Sequence, residues 1–157
     1  MNHLQGGIAV ITGAASGFGF EASRNAARLG MKVVMADVEK ANLERESKRL
    51  QAAGSDVLPI VCDVRDADAV FDLAKRTVAH YGGVHVVFNN AGVGPAGPML
   101  DTSAADWRWI VDVNVLGVAH GVIAFGPILK QAGEGHIINT ASEAGHVSSA
   151  MLGMYTA

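Results

Sequence analysis

The chain has a single cysteine, no cluster of basic residues and no secretory signal, and each absence excludes a class of protein. One cysteine in 157 residues, Cys62, excludes an intramolecular disulfide framework and a metal site built from several thiolates. A net charge of −3, with Lys and Arg scattered along the chain, leaves no basic surface for a phosphate backbone, so we expect no nucleic-acid partner. The first residues show no basic segment followed by an apolar stretch, which predicts a cytoplasmic location.

Hydrophobic residues are abundant: they make up 50% of the chain, against 17% for charged residues. This composition is typical of one domain large enough to bury a core. The stretch 113–129 is apolar enough to raise the question of a membrane span, but it contains Asn114, His120 and Pro127. It is also short of the ~20 apolar residues that a bilayer requires. We therefore expect a helix buried in protein and no membrane partner.

Short runs rich in Val and Ile alternate with longer amphipathic stretches, a pattern typical of a parallel sheet with crossover helices. The runs are almost continuously apolar, so each strand is expected to be covered on both faces. The predicted strands are 7–11, 32–36, 57–61, 84–89 and 135–140. The predicted helices are 18–29, 40–53, 67–81 and 103–131. Residues 1–157 are predicted to form a single α/β domain.

A glycine-rich loop follows the first predicted strand directly, and the first predicted helix begins at its end. Gly13, Gly17 and Gly19 allow a tight turn and a close approach to a pyrophosphate, while the helix N-terminus offers free N–H groups. The loop therefore predicts a dinucleotide site, in which we include Ser16 and Phe18. The alternative is a turn that needs glycine only for its positive φ.

Asp37 ends the second predicted strand, about twenty residues further on, where a carboxylate can bond the ribose hydroxyls of adenosine. It would repel a 2′-phosphate. Neither the loop nor the next residues, Val38 and Glu39, supply an Arg or Lys to bind one. The sequence therefore predicts NAD as the cofactor rather than NADP. The alternative interpretation of Asp37 is a helix N-cap.

The glycine spacing, Gly-x-x-x-Gly-x-Gly, resembles that of the short-chain dehydrogenases/reductases, and further motifs of that family follow in order. Asp63, in Cys62-Asp63-Val64, resembles the family's adenine-contacting acid, and Val64 is assigned to the same cofactor site. The run Asn89-Asn90-Ala91-Gly92 matches the Asn-Asn-Ala-Gly motif, which implies that Asn90, Ala91 and Gly92 also bind the cofactor. Taken alone, both segments have a simpler interpretation as turns.

Asn114, Ser142 and Tyr155 stand where the resemblance implies the catalytic residues. Tyr155 would act as general acid and base and is also assigned to the cofactor site, and Ser142, 13 residues before it, would hydrogen-bond the substrate oxygen. A phenol with its ordinary pKa of about 10 needs nearby positive charge to act as a base at neutral pH. In the family that charge comes from a lysine four residues after the tyrosine, and Asn114 helps to hold a water linked to the lysine. The alternative for Asn114 is a core amide paired with a backbone carbonyl.

The resemblance implies a Rossmann-like, doubly wound parallel sheet with helices on both faces and strand order 3-2-1-4-5. It implies an NAD-dependent oxidoreductase that transfers a hydride between the cofactor and a secondary alcohol or ketone. It also implies a homo-dimer or homo-tetramer. Because the lysine position falls beyond Ala157, we expect a chain that lacks the family's C-terminal strands. The alternatives are a non-catalytic nucleotide-binding or interaction fragment and, less consistent with the glycine spacing, an epimerase.

Overall fold

A computed structural model describes residues 4–157, which are built around a five-stranded sheet. The strands are β1 (Ile8–Thr12), β2 (Lys32–Asp37), β3 (Val57–Val61), β4 (Val86–Asn89) and β5 (His136–Asn139). Their order is β3-β2-β1-β4-β5, and every pair of neighbours is parallel. The predicted fold class and strand order are confirmed. We call the edge at which the strands end the carboxyl edge of the sheet.

Helices connect the strands and cover both faces of the sheet. They are α1 (Gly17–Arg28), α2 (Lys40–Ala52), α3 (Ala67–Tyr81), α4 (Ala104–Val111), α5 (Gly117–Ala132) and the short α6 (Gly153–Thr156). The prediction of one continuous α-helix over 103–131 differs from the structure in the middle of this stretch. There Asp112–Leu116 winds as a π-helix, which we call the π-turn. A period of 3.6 residues in the sequence does not reveal a single wide turn of this kind, which is frequent at functional sites.

The core lies on both faces of the sheet because successive strand residues point to opposite sides. On one face Val10 and Val34 pack with residues of α3 and α5, among them the fully buried Phe125. On the other face Val33 and Met35 pack with residues of α1 and α2. Burial on both faces explains why the strands are almost continuously apolar in sequence.

The helical stretch 104–132 is long and apolar enough to cross a membrane by length and composition alone. One third of its most apolar window, 33%, is buried inside the domain. Its second half, α5, packs against α3, β4 and β5. A single helix of this kind is a weak indication of a span, because core helices meet the same criterion.

Gly121 allows α5 to approach the end of β4 closely. A Cβ atom at this position would overlap the Oδ1 atom of buried Asn89 and lie 2.7 Å from its Cγ. We expect Gly121→Ala to destabilise the protein by about 1–3 kcal/mol, because a packed interior resists an added methyl group. Urea denaturation measures this loss.

Gly126→Ala is the matched control, since it adds the same methyl group to the same helix. Nothing lies within 4 Å of a Cβ atom at Gly126. Alanine also favours a helix over glycine by about 0.8–1 kcal/mol. Equal losses of stability in the two variants would contradict the packing role of Gly121.

Candidate active site

The glycine loop joins β1 to α1 at the carboxyl edge of the sheet. Gly13 and Gly17 have φ angles of +63° and +52°, in the left-handed region that favours glycine. Glycine is required at position 19 for a different reason. A Cβ atom there would overlap the carbonyl oxygen of Gly13 and lie 2.7 Å from Nδ2 of Asn90. A turn that needs only positive φ therefore accounts for Gly17, whereas close packing also constrains Gly13 and Gly19.

The N-terminus of α1 is open. Ser16 occupies the N-cap position in an extended conformation, and its side chain makes no capping hydrogen bond. The next residues include Phe18, whose side chain is 82% exposed. The first N–H groups of a helix lack partners within the helix, and no side chain of residues 4–157 caps them here. The loop and α1 thus present free donors at a positive dipole end, the arrangement that binds phosphate groups in other proteins.

Thr12 ties the glycine loop to the segment that follows β4, a role that the sequence analysis missed. Its Oγ1 accepts hydrogen bonds from the backbone N–H groups of Asn90 and Ala91, both at 3.0 Å. Its carbonyl oxygen accepts a third from Nδ2 of Asn90 at 3.1 Å. A threonine that ends a strand carries no distinct signal in the sequence, since only the parallel pairing of β1 with β4 brings these groups together.

Residues 90–92 leave β4 at the carboxyl edge, beside the glycine loop. A Cβ atom on Gly13 would lie 2.9 Å from Cα of Ala91. Thr140, just after β5, donates to Oδ1 of Asn90 at 3.3 Å. The glycine loop therefore contacts the Asn-Asn-Ala-Gly motif directly, through Gly13 and Gly19 on one side and Asn90 and Ala91 on the other.

Asp37 contacts the glycine loop through its carboxylate. Its Oδ2 accepts a hydrogen bond from the N–H of Ala15 at 2.9 Å, and its Oδ1 accepts one from Glu39 at 2.9 Å. The N-cap of α2 is Glu39, so the alternative interpretation of Asp37 as a helix cap is wrong. Each carboxylate oxygen retains acceptor capacity beyond the bond it makes. Asp37 thus lies at the loop with its acceptors only partly used.

Asp63 and Val64 follow β3 at the same edge. The guanidinium of Arg65 bonds both oxygens of Asp63, with an Nη2–Oδ2 distance of 2.6 Å. These bonds hold the pKa of Asp63 below its ordinary value. The N–H of Arg65 also donates to Oδ1 of Asp63 at 3.0 Å. This bond forms a turn, as expected if the segment is interpreted only as a turn. The adenine contact of Asp63 stays a prediction.

Asn114 lies in the π-turn and pairs with the backbone of Val93 in both directions. Its Oδ1 accepts from the N–H of Val93, and its Nδ2 donates to the carbonyl oxygen of Val93, each at 2.8 Å. The side chain is thus satisfied by backbone groups, as the alternative interpretation expects. It anchors the loop that follows the Asn-Asn-Ala-Gly motif. Its link to a water and a lysine stays a prediction.

Ser142 and Tyr155 both follow the end of β5. Oγ of Ser142 accepts from the N–H of Ala144 at 3.1 Å, which leaves the hydroxyl hydrogen free to donate. The ring of Tyr155 lies against Gly94, with carbon atoms 3.5–4.0 Å from the position of a Cβ atom there. Gly94 is next to Val93, so Asn114 and Tyr155 contact one loop. Among the described residues, no hydrogen bond joins Ser142 to Tyr155.

Elsewhere the described chain has a cavity but no group of side chains that could hold a metal ion. Within residues 4–157, no group of three or more His, Cys, Asp or Glu side chains could hold a metal ion. A cavity of about 680 Å³ opens at the opposite edge of the sheet, where its lining includes Arg28 and Arg49. Both belong to the last turns of their helices, where positive charge complements the helix dipole. None of the predicted site residues lines this cavity.

The fold and these loops define a class of protein. It is a doubly wound α/β domain whose candidate ligand-binding residues meet at the carboxyl edge, where the strand order reverses between β1 and β4. The family model described as short chain dehydrogenase matches residues 7–157. The chain belongs to the short-chain dehydrogenase/reductase family, and the resemblance stated from its motifs is confirmed.

Two relatives that are dehydrogenases by name are similar to this chain over nearly its whole length. The chain is 39% identical to 1-deoxy-11-beta-hydroxypentalenate dehydrogenase of Streptomyces avermitilis, an alignment that covers 99% of this chain and 58% of the relative. It is 35% identical to C alpha-dehydrogenase of Sphingobium sp., over 100% of this chain and 52% of the relative. The chain thus spans little more than half the length of these relatives.

A solved structure shares both the fold and much of the sequence. It is a short chain dehydrogenase/reductase from Burkholderia phymatum, crystallised in complex with NAD. The TM-score is 0.96 at 47% identity, and the match covers 99% of this chain and 56% of that chain. The similarity extends across all the loops described above.

Proposed function

We propose that the full-length protein is an NAD-dependent dehydrogenase or reductase that interconverts a secondary alcohol and a ketone. The observation that carries the proposal is the convergence of the glycine loop, residues 90–92, Ser142 and Tyr155 at one edge of the sheet. The NAD complex of the Burkholderia phymatum relative supports the choice of cofactor. The two curated relatives are dehydrogenases by name, which supports the reaction class.

The described residues fit a dinucleotide. At Gly17 no described atom lies within 4 Å of the position of a Cβ atom, so the loop is open there, and the open N-terminus of α1 suits a pyrophosphate. The remaining acceptor sites of Asp37 suit ribose hydroxyls, and the N–H of Val64, which donates to no described residue, suits adenine. When bound, the nicotinamide accepts or supplies the hydride.

Tyr155 and Ser142 are the groups we propose for the proton and the substrate oxygen. The phenolate of Tyr155 takes the proton from the alcohol during oxidation, and the phenol donates it to the carbonyl oxygen during reduction. The hydroxyl of Ser142 donates to the same oxygen, because its own oxygen already accepts from Ala144. We further propose that the residue four positions after Tyr155 in the full-length protein is the lysine that acidifies the phenol.

The preference for NADH over NADPH directly tests the proposal that NAD is the cofactor. We expect the full-length protein to bind NADH at least tenfold more tightly than NADPH, a difference of about 1.4 kcal/mol. The reason is that Asp37 places negative charge at the loop where a 2′-phosphate would lie. Fluorescence titration with each nucleotide measures the two affinities. Asp37→Asn, which removes the charge and keeps an amide oxygen, should narrow the preference; equal affinities in the wild type would contradict the assignment.

An activity assay distinguishes a dehydrogenase from a non-catalytic nucleotide-binding protein. Turnover of secondary alcohols with NAD by the full-length protein supports the dehydrogenase. Tight NADH binding with no turnover of any alcohol or ketone in a broad panel would favour the non-catalytic nucleotide-binding protein.

We also propose that the intact protein is a homo-dimer or homo-tetramer. Val111, Val115 and Val122 recur at helical spacing along α4, the π-turn and α5, and are 41%, 58% and 39% exposed. A row of apolar side chains on a long helix suits a symmetric contact with a second copy. Sedimentation of the full-length protein measures the state, and a monomer at micromolar concentration would contradict it.

A further inference from the structure

His120 joins α5 to the segment that follows β3. Its Nδ1 lies 2.9 Å from the carbonyl oxygen of Val64, 56 positions away in the sequence. A carbonyl oxygen only accepts hydrogen bonds, so Nδ1 carries a hydrogen and donates it. In the described part of the chain, no other group donates to this oxygen.

The same helix also holds the side chain of Val64. Val64 is 8% exposed, and its Cγ2 lies only 2.7 Å from where a Cβ atom on Gly117 would stand. Gly117 is one turn before His120 on α5. The backbone and the side chain of Val64 are therefore both held by one short stretch of this helix.

The helical stretch 104–132 thus reaches two loops at the carboxyl edge. Asn114, in the π-turn, holds the backbone of Val93 beside the Asn-Asn-Ala-Gly motif. His120, in α5, holds the backbone of Val64 beside Asp63. Both contacts run from a side chain to a backbone group, so they set the conformation of a loop rather than merely fill space.

We propose that His120 is a positioning residue for the adenine end of the dinucleotide. By fixing the carbonyl of Val64, it keeps the neighbouring N–H of Val64 and the carboxylate of Asp63 in one arrangement for the ligand. This inference rests on the proposed NAD-binding function. An apolar side chain at position 120 would leave a partly buried carbonyl unpaired and free the segment to adopt other conformations.

The test compares ligands with and without the adenosine moiety, because a purely structural role of His120 would not distinguish them. NADH and ADP-ribose both contain adenosine, whereas reduced nicotinamide mononucleotide lacks it. Binding of all three is measured by titration of the full-length wild type and variants. We expect His120→Leu to weaken NADH and ADP-ribose about tenfold, or 1.4 kcal/mol, and to leave the mononucleotide within twofold.

Two further variants control for folding and for polarity. In His120→Asn the amide nitrogen occupies the same δ position as the donor of the imidazole, so we expect NADH affinity within about threefold of wild type. In His120→Gln the nitrogen lies one bond further out, and the adenosine-selective loss should reappear. Comparing His120→Asn with His120→Gln tests the positioning role of His120 even if His120→Leu does not fold.

Three results would overturn the inference, and they are distinguishable. Unchanged NADH affinity in His120→Gln, with a wild type that binds NADH, overturns the role of His120 alone. An equal loss for the mononucleotide and for NADH assigns His120 to general stability and also overturns it. A wild type that binds none of the three ligands overturns the proposed NAD-binding function and this inference with it.

Discussion

Replacing Tyr155 by phenylalanine in the full-length protein is expected to lower kcat by a factor of about 10²–10⁴, the usual contribution of a general acid or base. The phenylalanine ring can still lie against Gly94, so the loop that Tyr155 contacts keeps its packing. NADH affinity should therefore stay within twofold of wild type. Steady-state rates with an alcohol that the wild type oxidises, together with NADH titration, separate the two effects.

Thr156→Val is a matched control for this experiment, because it removes a hydroxyl group from the next residue of α6. That hydroxyl donates to the carbonyl oxygen of Gly153 at 3.2 Å. We expect kcat within about threefold of wild type for the control. A Tyr155→Phe variant that turns over as fast as Thr156→Val would remove Tyr155 from the proposed chemistry.

Replacing Thr12 by valine is expected to cause a large loss of stability. Valine has the shape of threonine but cannot accept the two N–H groups of Asn90 and Ala91. An unpaired buried donor costs about 1–3 kcal/mol, and because these two donors are only partly buried we expect a loss of about 1–3 kcal/mol for the pair. That is a large fraction of the 5–15 kcal/mol that typically stabilises a domain. Urea denaturation of the full-length protein measures the loss, and NADH affinity should fall with it.

Thr12→Ser separates the hydroxyl from the methyl group. Serine keeps Oγ and loses one methyl at a position that is 4% exposed, a change of about 0.8 kcal/mol. The serine variant should therefore be more stable than the valine variant. If both lose the same free energy of unfolding, the hydrogen bonds of Thr12 to the Asn-Asn-Ala-Gly segment are not what stabilises this junction.

The secondary structure could be predicted closely because its signals are local. Continuous Val and Ile runs identified all five strands, and β3 was predicted with its observed bounds, Val57–Val61. Helix starts are similarly local, and α3 begins after Asp66, whose side chain accepts from Asp68. The π-turn was not predictable, because one widened turn leaves the apolar periodicity of a long helix almost unchanged.

The candidate site could be predicted in its residues but only partly in its contacts. Gly13, Asn90 and Tyr155 were found because short motifs carry them. Asp37 was found too, yet its bond to the N–H of Ala15 was not, since that contact crosses from the end of β2 to the loop after β1. Thr12 and His120 belong to no motif that the sequence analysis used, and both were missed as contacts.

The sequence by itself determined the order of strands and helices, the glycine loop and the polar residues that follow each strand, because these depend on neighbours in the chain. Only the tertiary structure decided which polar groups pair. Thr12 meets Asn90 across 78 positions and His120 meets Val64 across 56. These pairs exist because a parallel sheet brings distant strand ends to one edge, and because α5 packs closely enough for its side chains to reach backbone groups there.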